Sequence, residues 1–273
     1  MATWKDNLSF VLVEPKESGN IGASARAIKN MGFMNLCMVS PPALLTDEAR
    51  WFACNALDVL ESARSYPDVH SAIRDKAIVV GTSRRTGKHR GMILPVEQGA
   101  KQIIERAKSG KVAILFGRED KGLLNEEVHE CGLLLTIPTS KEHRSLNLAQ
   151  AVLIVAYELL KAGYEDQAKG MGQEETAKGK ERRAKGEKQK QTPRMMESGE
   201  FGTQLVSYEE TSALYHRMTE ILKLLEYTPR GGRHLEAKIM QNLKHFIARS
   251  GLTDWELNML HGILTQIEKK MKL

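Results

Sequence analysis

Val112-Ala113-Ile114-Leu115-Phe116-Gly117-Arg118-Glu119-Asp120-Lys121-Gly122-Leu123 holds an apolar run that stops at a glycine and four charged residues. A run apolar at every position, not at every second one, reads as a strand buried on both faces. That is the pattern of a parallel sheet covered by helices on each side. Polar residues at the carboxyl end of such a strand stand where open α/β sheets bind ligands. Taken alone, the charged stretch reads as a solvent loop.

The same pattern recurs outward from this segment. Ser9-Phe10-Val11-Leu12-Val13, Asn35-Leu36-Cys37-Met38-Val39, Ala77-Ile78-Val79-Val80-Gly81 and Leu133-Leu134-Leu135-Thr136-Ile137 read as further strands. Helical patterns lie between them: about Ile21 to Met31, a region through Leu60, and one from Leu146 or Asn147 to about Leu160. Alternating strands and helices predict an α/β domain over residues 1–164. Residues 165–204 read as a basic flexible linker. Between Gln167 and Arg194 nine Lys/Arg stand against four Glu, with no Leu, Ile, Val or aromatic residue to bury. Residues 205–273 predict a small all-α domain of three helices. Two of them open on capping boxes, Ser207-x-x-Glu210 and Thr253-x-x-Glu256.

Composition narrows the function classes. The 273-residue chain carries a formal charge of +6 and a pI near 9.1, which suits an anionic partner. No stretch approaches the ~20 apolar residues of a membrane span. The first residues, Met1-Ala2-Thr3-Trp4-Lys5-Asp6, carry no leader pattern. Cys37, Cys54 and Cys131 are odd in number and far apart, so reduced thiols in a cytoplasmic protein are expected, without disulfide or metal site.

Three motifs could carry chemistry. Gly19-Asn20-Ile21-Gly22-Ala23-Ser24-Ala25-Arg26 follows the first strand, but G-x-G-x-x-G is absent. The second strand ends in Val39-Ser40-Pro41 with no acidic residue for a ribose, so a nicotinamide cofactor is not indicated. Arg26 stands among small residues, where its side chain can reach beyond the helix. The second motif is the charged loop after Phe116. The third joins Ile137-Pro138 to Ser145-Leu146-Asn147-Leu148-Ala149, a strand end followed by a helix start whose free N–H groups suit either a side-chain cap or a ligand. Lys141, His143 and Arg144 lie between, a basic cluster fit to face phosphates.

In their order and spacing these motifs resemble those of the SpoU/TrmH RNA methyltransferases of the SPOUT superfamily, over about residues 7–163. The pattern is most similar to the TrmJ branch. Phe10-Val11-Leu12-Val13-Glu14, Asn20 to Gly32, Val80-Gly81-Thr82-Ser83 and Ser145-Leu146-Asn147-Leu148-Ala149 carry the likeness. The resemblance implies a parallel-sheet domain ending in a trefoil knot, with the helical domain appended. It implies S-adenosylmethionine as cofactor, no metal, and a homodimer in which each site is completed by the partner.

By motif match, Thr82, Ser83, Arg84, Gly117, Ile137, Arg144, Ser145 and Leu146 would bind the cofactor. Arg26, Asn20, Glu119, Ser145 and Asn147 match the positions to which catalysis is assigned, with Arg26 expected to reach the other subunit's cofactor. Arg85, Lys88, Arg90 and Arg118 are expected to contact RNA, and Arg230, Arg233, His234, Lys238 and Lys244 to enlarge the footprint. The implied reaction is 2′-O-methylation of ribose in tRNA, at nucleotide 32 of the anticodon loop. The same chemistry on ribosomal RNA or another tRNA position, and a non-catalytic RNA-binding protein, are the alternatives. The residues before Ser145 are Glu142-His143-Arg144, where the branch often has Tyr-Ser.

Overall fold

The computed structural model describes residues 3–42, 46–84, 93–140, 142, 145–184, 204–225 and 235–271, with only the backbone described for 169–184 and 235–238. Seven parallel strands form one sheet: β1 (Leu8–Val13), β2 (Leu36–Val39), β3 (Arg64–Tyr66), β4 (Ile78–Thr82), β5 (Ile93–Pro95), β6 (Val112–Phe116) and β7 (Leu133–Thr136). Their spatial order is β3-β2-β1-β6-β4-β7-β5. The five strands expected from the apolar runs are all present. The two not anticipated, β3 and β5, are three-residue edge strands without a fully buried side chain, so no apolar run announces them.

The sheet's two faces differ in their cover. Alternate residues of β1 separate cleanly: Leu8, Phe10 and Leu12 face one core cluster, Val11 and Val13 the other. The first core is closed by α1 (Ser18–Asn30), α2 (Asp47–Ala53), α3 (Leu57–Glu61), α5 (Val96–Ala107) and α7 (Leu148–Ala184). The second is closed by α4 (Val69–Ile73) and α6 (Asn125–His129). Every strand residue from Leu8 to Val13 is buried, which is why the sequence shows no polar alternation there. α7 is longer than expected. It continues to Ala184, past about Leu160 and into the basic segment. The rest of that segment, 185–203, lies outside the described residues.

α1 and α2 meet at almost no separation. A Cβ built on Gly22 would sit 2.0 Å from the carbonyl oxygen of Ala49. Gly22→Ala is therefore expected to cost about 1–3 kcal/mol, the range for overpacking. A lowered urea midpoint at unchanged m-value is the measurement.

The helical domain comprises α8 (Tyr208–Leu224), α9 (Leu235–Ser250) and α10 (Asp254–Met271). Both expected capping boxes form. The Ser207 amide donates to Glu210 Oε2 at 2.7 Å and the Thr253 amide to Glu256 Oε2 at 2.8 Å. The domain docks at the amino ends of β4 and β7. Gly132 lies against Ala248, the Tyr208 amide donates to the Lys76 carbonyl at 2.6 Å, and the Tyr208 hydroxyl donates to Glu130. Lys244, expected on an RNA face, instead approaches Glu130 at 3.8 Å and lies over the Tyr215 ring. Arg230, Arg233 and His234 lie outside the described residues, as does the side chain of Lys238.

Candidate active site

The strand order explains where a site forms. β4 lies between β6 and β7, so the carboxyl ends of three strands distant in sequence converge. Around them opens a cleft with ≈ 830 Å³ of atom-free space, part of it open to solvent. Thr82, Ser83 and Arg84 line it from β4, Gly117 to Leu123 from the loop after β6, and Ile137 and Thr139 from the end of β7. Ser145, Leu146, Leu148 and Ala151 complete it from the start of α7.

Seven of the eight expected cofactor residues are thus brought together: Thr82, Ser83, Arg84, Gly117, Ile137, Ser145 and Leu146. The eighth, Arg144, lies outside the described residues, as do Arg85, Lys88 and Arg90. Leu123, Leu135, Thr139, Leu148 and Ala151 also line the cleft. Sequence reading did not select them, because the apolar ones, whether beside strands or on α7, carry no mark separating wall from core.

The polar residues form one hydrogen-bonded chain. Asn147 Oδ1 accepts from the Ala149 amide at 2.9 Å, capping α7, which turns its Nδ2 outward. That Nδ2 donates to Asn20 Oδ1 at 2.8 Å, and Asn20 Nδ2 donates to Glu119 Oε1 at 3.0 Å. Glu119 also accepts from the backbone amides of Lys16 and Glu17 at 3.1 and 3.3 Å. Each amide's orientation is fixed by the partner before it, so three motifs up to 127 residues apart share one geometry.

Arg26 does not line the cleft of its own chain. It lies six residues beyond Asn20 on α1, roughly 9 Å of helical rise, and is exposed. Its Nη1 contacts Cys54 Sγ at 3.4 Å.

Arg118 departs from its expected role as an RNA contact. Its side chain is only 8% exposed and engages two carboxylates. Nε and Nη2 donate to Glu14 at 2.8 and 2.5 Å, and Nη1 and Nη2 to Glu127 at 3.0 and 2.9 Å. The Glu14 hydrogen bond, opposed by burial and helped by Glu127, raises the guanidinium's already high pKa. Glu14 carries no local sequence signal as a partner, since it is 104 residues away.

The same hydrogen bond holds the Glu14 carboxyl below the usual carboxylate range, against a smaller opposing effect of burial. A depressed folded-state pKa contributes stability that is complete above the unfolded value of about 4.3 and is lost as pH falls through the folded value. Wild type is therefore expected to exceed Glu14→Gln in stability near neutrality. In urea unfolding at stepped pH the difference should shrink as pH falls below about 4.3 and vanish once pH is below the lowered folded value. A stability difference independent of pH would refute it.

Among the described residues no group of His, Cys, Asp and Glu could hold a metal, and no helix is long and apolar enough to cross a membrane. Cys37, Cys54 and Cys131 are free.

Comparison with known proteins places this cleft in context. The model of the SpoU rRNA Methylase family matches residues 7–157. The chain is similar to the tRNA (cytidine/uridine/adenosine-2'-O-)-methyltransferase TrmJ of Pseudomonas aeruginosa, 33% identical over 97% of this chain and 95% of that one. It is 32% identical to the tRNA (cytidine/uridine-2'-O-)-methyltransferase TrmJ of Escherichia coli O6:K15:H31, over 97% of both chains. The crystal structure of TrmJ from Z. mobilis ZM4 superposes with a TM-score of 0.68 at 29% identity, covering 95% of this chain and 98% of that one.

Proposed function

Because the chain belongs to the SpoU methylase family, we propose that it methylates the ribose 2′-hydroxyl of tRNA at nucleotide 32 of the anticodon loop, using S-adenosylmethionine. The observation that carries this reading is the cleft joined to the Glu119–Asn20–Asn147 chain. The TrmJ relatives named above, matched over nearly their whole length, support tRNA as substrate.

The residues present fit the cofactor. Leu123, Leu135, Ile137 and Leu146 give the apolar walls an adenine ring needs. Gly117 and Gly122 place backbone without side chains at the cleft. Thr82, Gly117, Ile137, Ser145 and Leu146 would hold the adenosyl part. When bound, S-adenosylmethionine supplies a methyl group already activated on a sulfonium.

The chain's own residues then orient the ribose and manage its proton. The attacking oxygen must be held in line at about 3–3.5 Å. A guanidinium is essentially never deprotonated in proteins, so Arg26 is no general base. It holds the target phosphate and stabilises the developing alkoxide as a preorganised positive charge. The proton leaves to a phosphate oxygen or water.

The working unit is a homodimer. Arg26 is exposed and does not line its own cleft. Trp51 and Phe52 of α2 and Leu153 and Tyr157 of α7 expose large apolar surface on the two helices that flank α1. A second copy covering that face would bring Arg26 to the partner's cleft. The segment from β7 into α7 forms the trefoil knot of the superfamily, a reading supported by α7 returning to pack on α1 and α5. A tRNA substrate places the protein in the cytoplasm. The basic composition of residues 165–204 suits an RNA partner.

The test is methyl transfer from labelled S-adenosylmethionine to unmodified bulk tRNA, with nuclease mapping. A 2′-O-methyl at nucleotide 32 is expected. Transfer only to ribosomal RNA would move the substrate. RNA binding without cofactor binding would establish a non-catalytic protein.

A further inference from the structure

Resting on that reading, we propose that Arg118 is a positioning residue for the cofactor loop and takes no part in binding RNA. The loop after β6 must leave the sheet and turn back within six residues, since Gly122 bridges to Arg118 and its amide donates to the Arg118 carbonyl at 2.8 Å. Such a short return, built round a glycine at φ +67°, is tied on its exposed side by Glu119 to the Lys16 and Glu17 amides and by Asp120 to Lys16 Nζ. Arg118 adds the buried anchor. One edge of its guanidinium grips Glu14 at the end of β1, and the other grips Glu127 on α6.

Glu127 in turn accepts from the Leu124 amide at 2.7 Å, fixing the residue where the loop enters α6. The loop is thereby held near its start by the guanidinium and just past its last residue by the Glu127 carboxylate that the guanidinium grips. Glu119 is the next residue in the chain, so the clamp also sets where the Asn20–Asn147 chain begins. Four charge-assisted bonds from a side chain this buried leave no donor edge for a phosphate. Lysine, with one point charge, cannot span both carboxylates.

The inference separates from an RNA contact by which constant moves. Arg118→Met, Arg118→Lys and the milder Glu14→Gln are compared in the full-length protein. S-Adenosylmethionine affinity is read by calorimetry, KM for tRNA from initial rates, and amide hydrogen exchange over residues 117–124 without any ligand. Arg118→Met is expected to weaken cofactor binding by roughly tenfold or more, as for a lost buried charge clamp, with KM for tRNA nearly unchanged. Arg118→Lys should recover part of this loss. Exchange across the loop should accelerate in all three variants. Glu14→Gln, at a half-exposed position, keeps the test readable if Arg118→Met fails to fold.

A raised KM for tRNA with cofactor affinity and loop exchange unchanged would overturn the proposal. Wild-type protein that binds no S-adenosylmethionine would defeat the functional reading alone. Loop exchange in the variants would still decide the role of Arg118.

Discussion

Arg26→Ala is expected to lower methyl transfer by about 10²–10³-fold, the scale for removing one preorganised charge-stabilising group, while S-adenosylmethionine binds as before. The reason is positional: Arg26 is exposed, makes its contact with Cys54, and lies outside the cleft of its own chain. Arg26→Lys should recover little, because a point charge cannot replace the planar fork on a phosphate. A mixing experiment sharpens the prediction. If Arg26 serves the partner's cleft, Arg26→Ala combined with a cleft-dead variant such as Gly117→Ala regains activity. Half of randomly mixed dimers are mixed, and each holds one complete site, so recovery should reach about one quarter of wild type. No recovery after subunit exchange would place Arg26 and the cleft in the same chain's chemistry.

Gly117→Ala is expected to reduce cofactor affinity by about 100-fold or more and to destabilise the fold by about 1–3 kcal/mol. A Cβ at this position would lie 2.1 Å from Gly122 C and from Leu123 N, both backbone atoms of the cleft wall. No rotamer relieves that contact, so the loop itself must move. Gly122→Ala is the instructive control. Its Cβ would meet nothing within 4 Å, yet φ is +67°. It should cost of order 1 kcal/mol of backbone strain without pushing on the backbone of the cleft wall. Calorimetric titration and urea unfolding of both variants separate a blocked site from a strained turn. Equal losses of affinity would argue against the steric account.

Much of the architecture was legible because it depends on neighbours in the chain. The run Val112–Phe116 is apolar throughout since both sheet faces are covered, and that burial leaves its mark residue by residue. Ser207 and Glu210, or Thr253 and Glu256, close their boxes within four residues. Edge strands such as Arg64–Tyr66 are set by pairing with β2, and their own sequence carries no pattern. α7 runs on to Ala184 because nothing in residues 161–184 forbids a helix, though little there favours burial.

The site divides in the same way. Local pattern showed only that Asn20, Gly117, Glu119, Ile137 and Asn147 stand at strand ends or helix starts; it was their resemblance to a family's motifs that named most of the cleft. What Arg118 does was not legible. Its charge suggests RNA, but its direction depends on Glu14, brought beside it by the pairing of β1 with β6. The proximity of Lys244 to Glu130 was not legible for the same reason, its surroundings being set by the docking of α9 on β4 and β7. The sequence by itself determined the strands, the caps and the chemistry of the motifs, because backbone burial and capping are short-range. Only the tertiary structure decided which charges face solvent and which hold the loop, because a long side chain's partner is chosen by strand order.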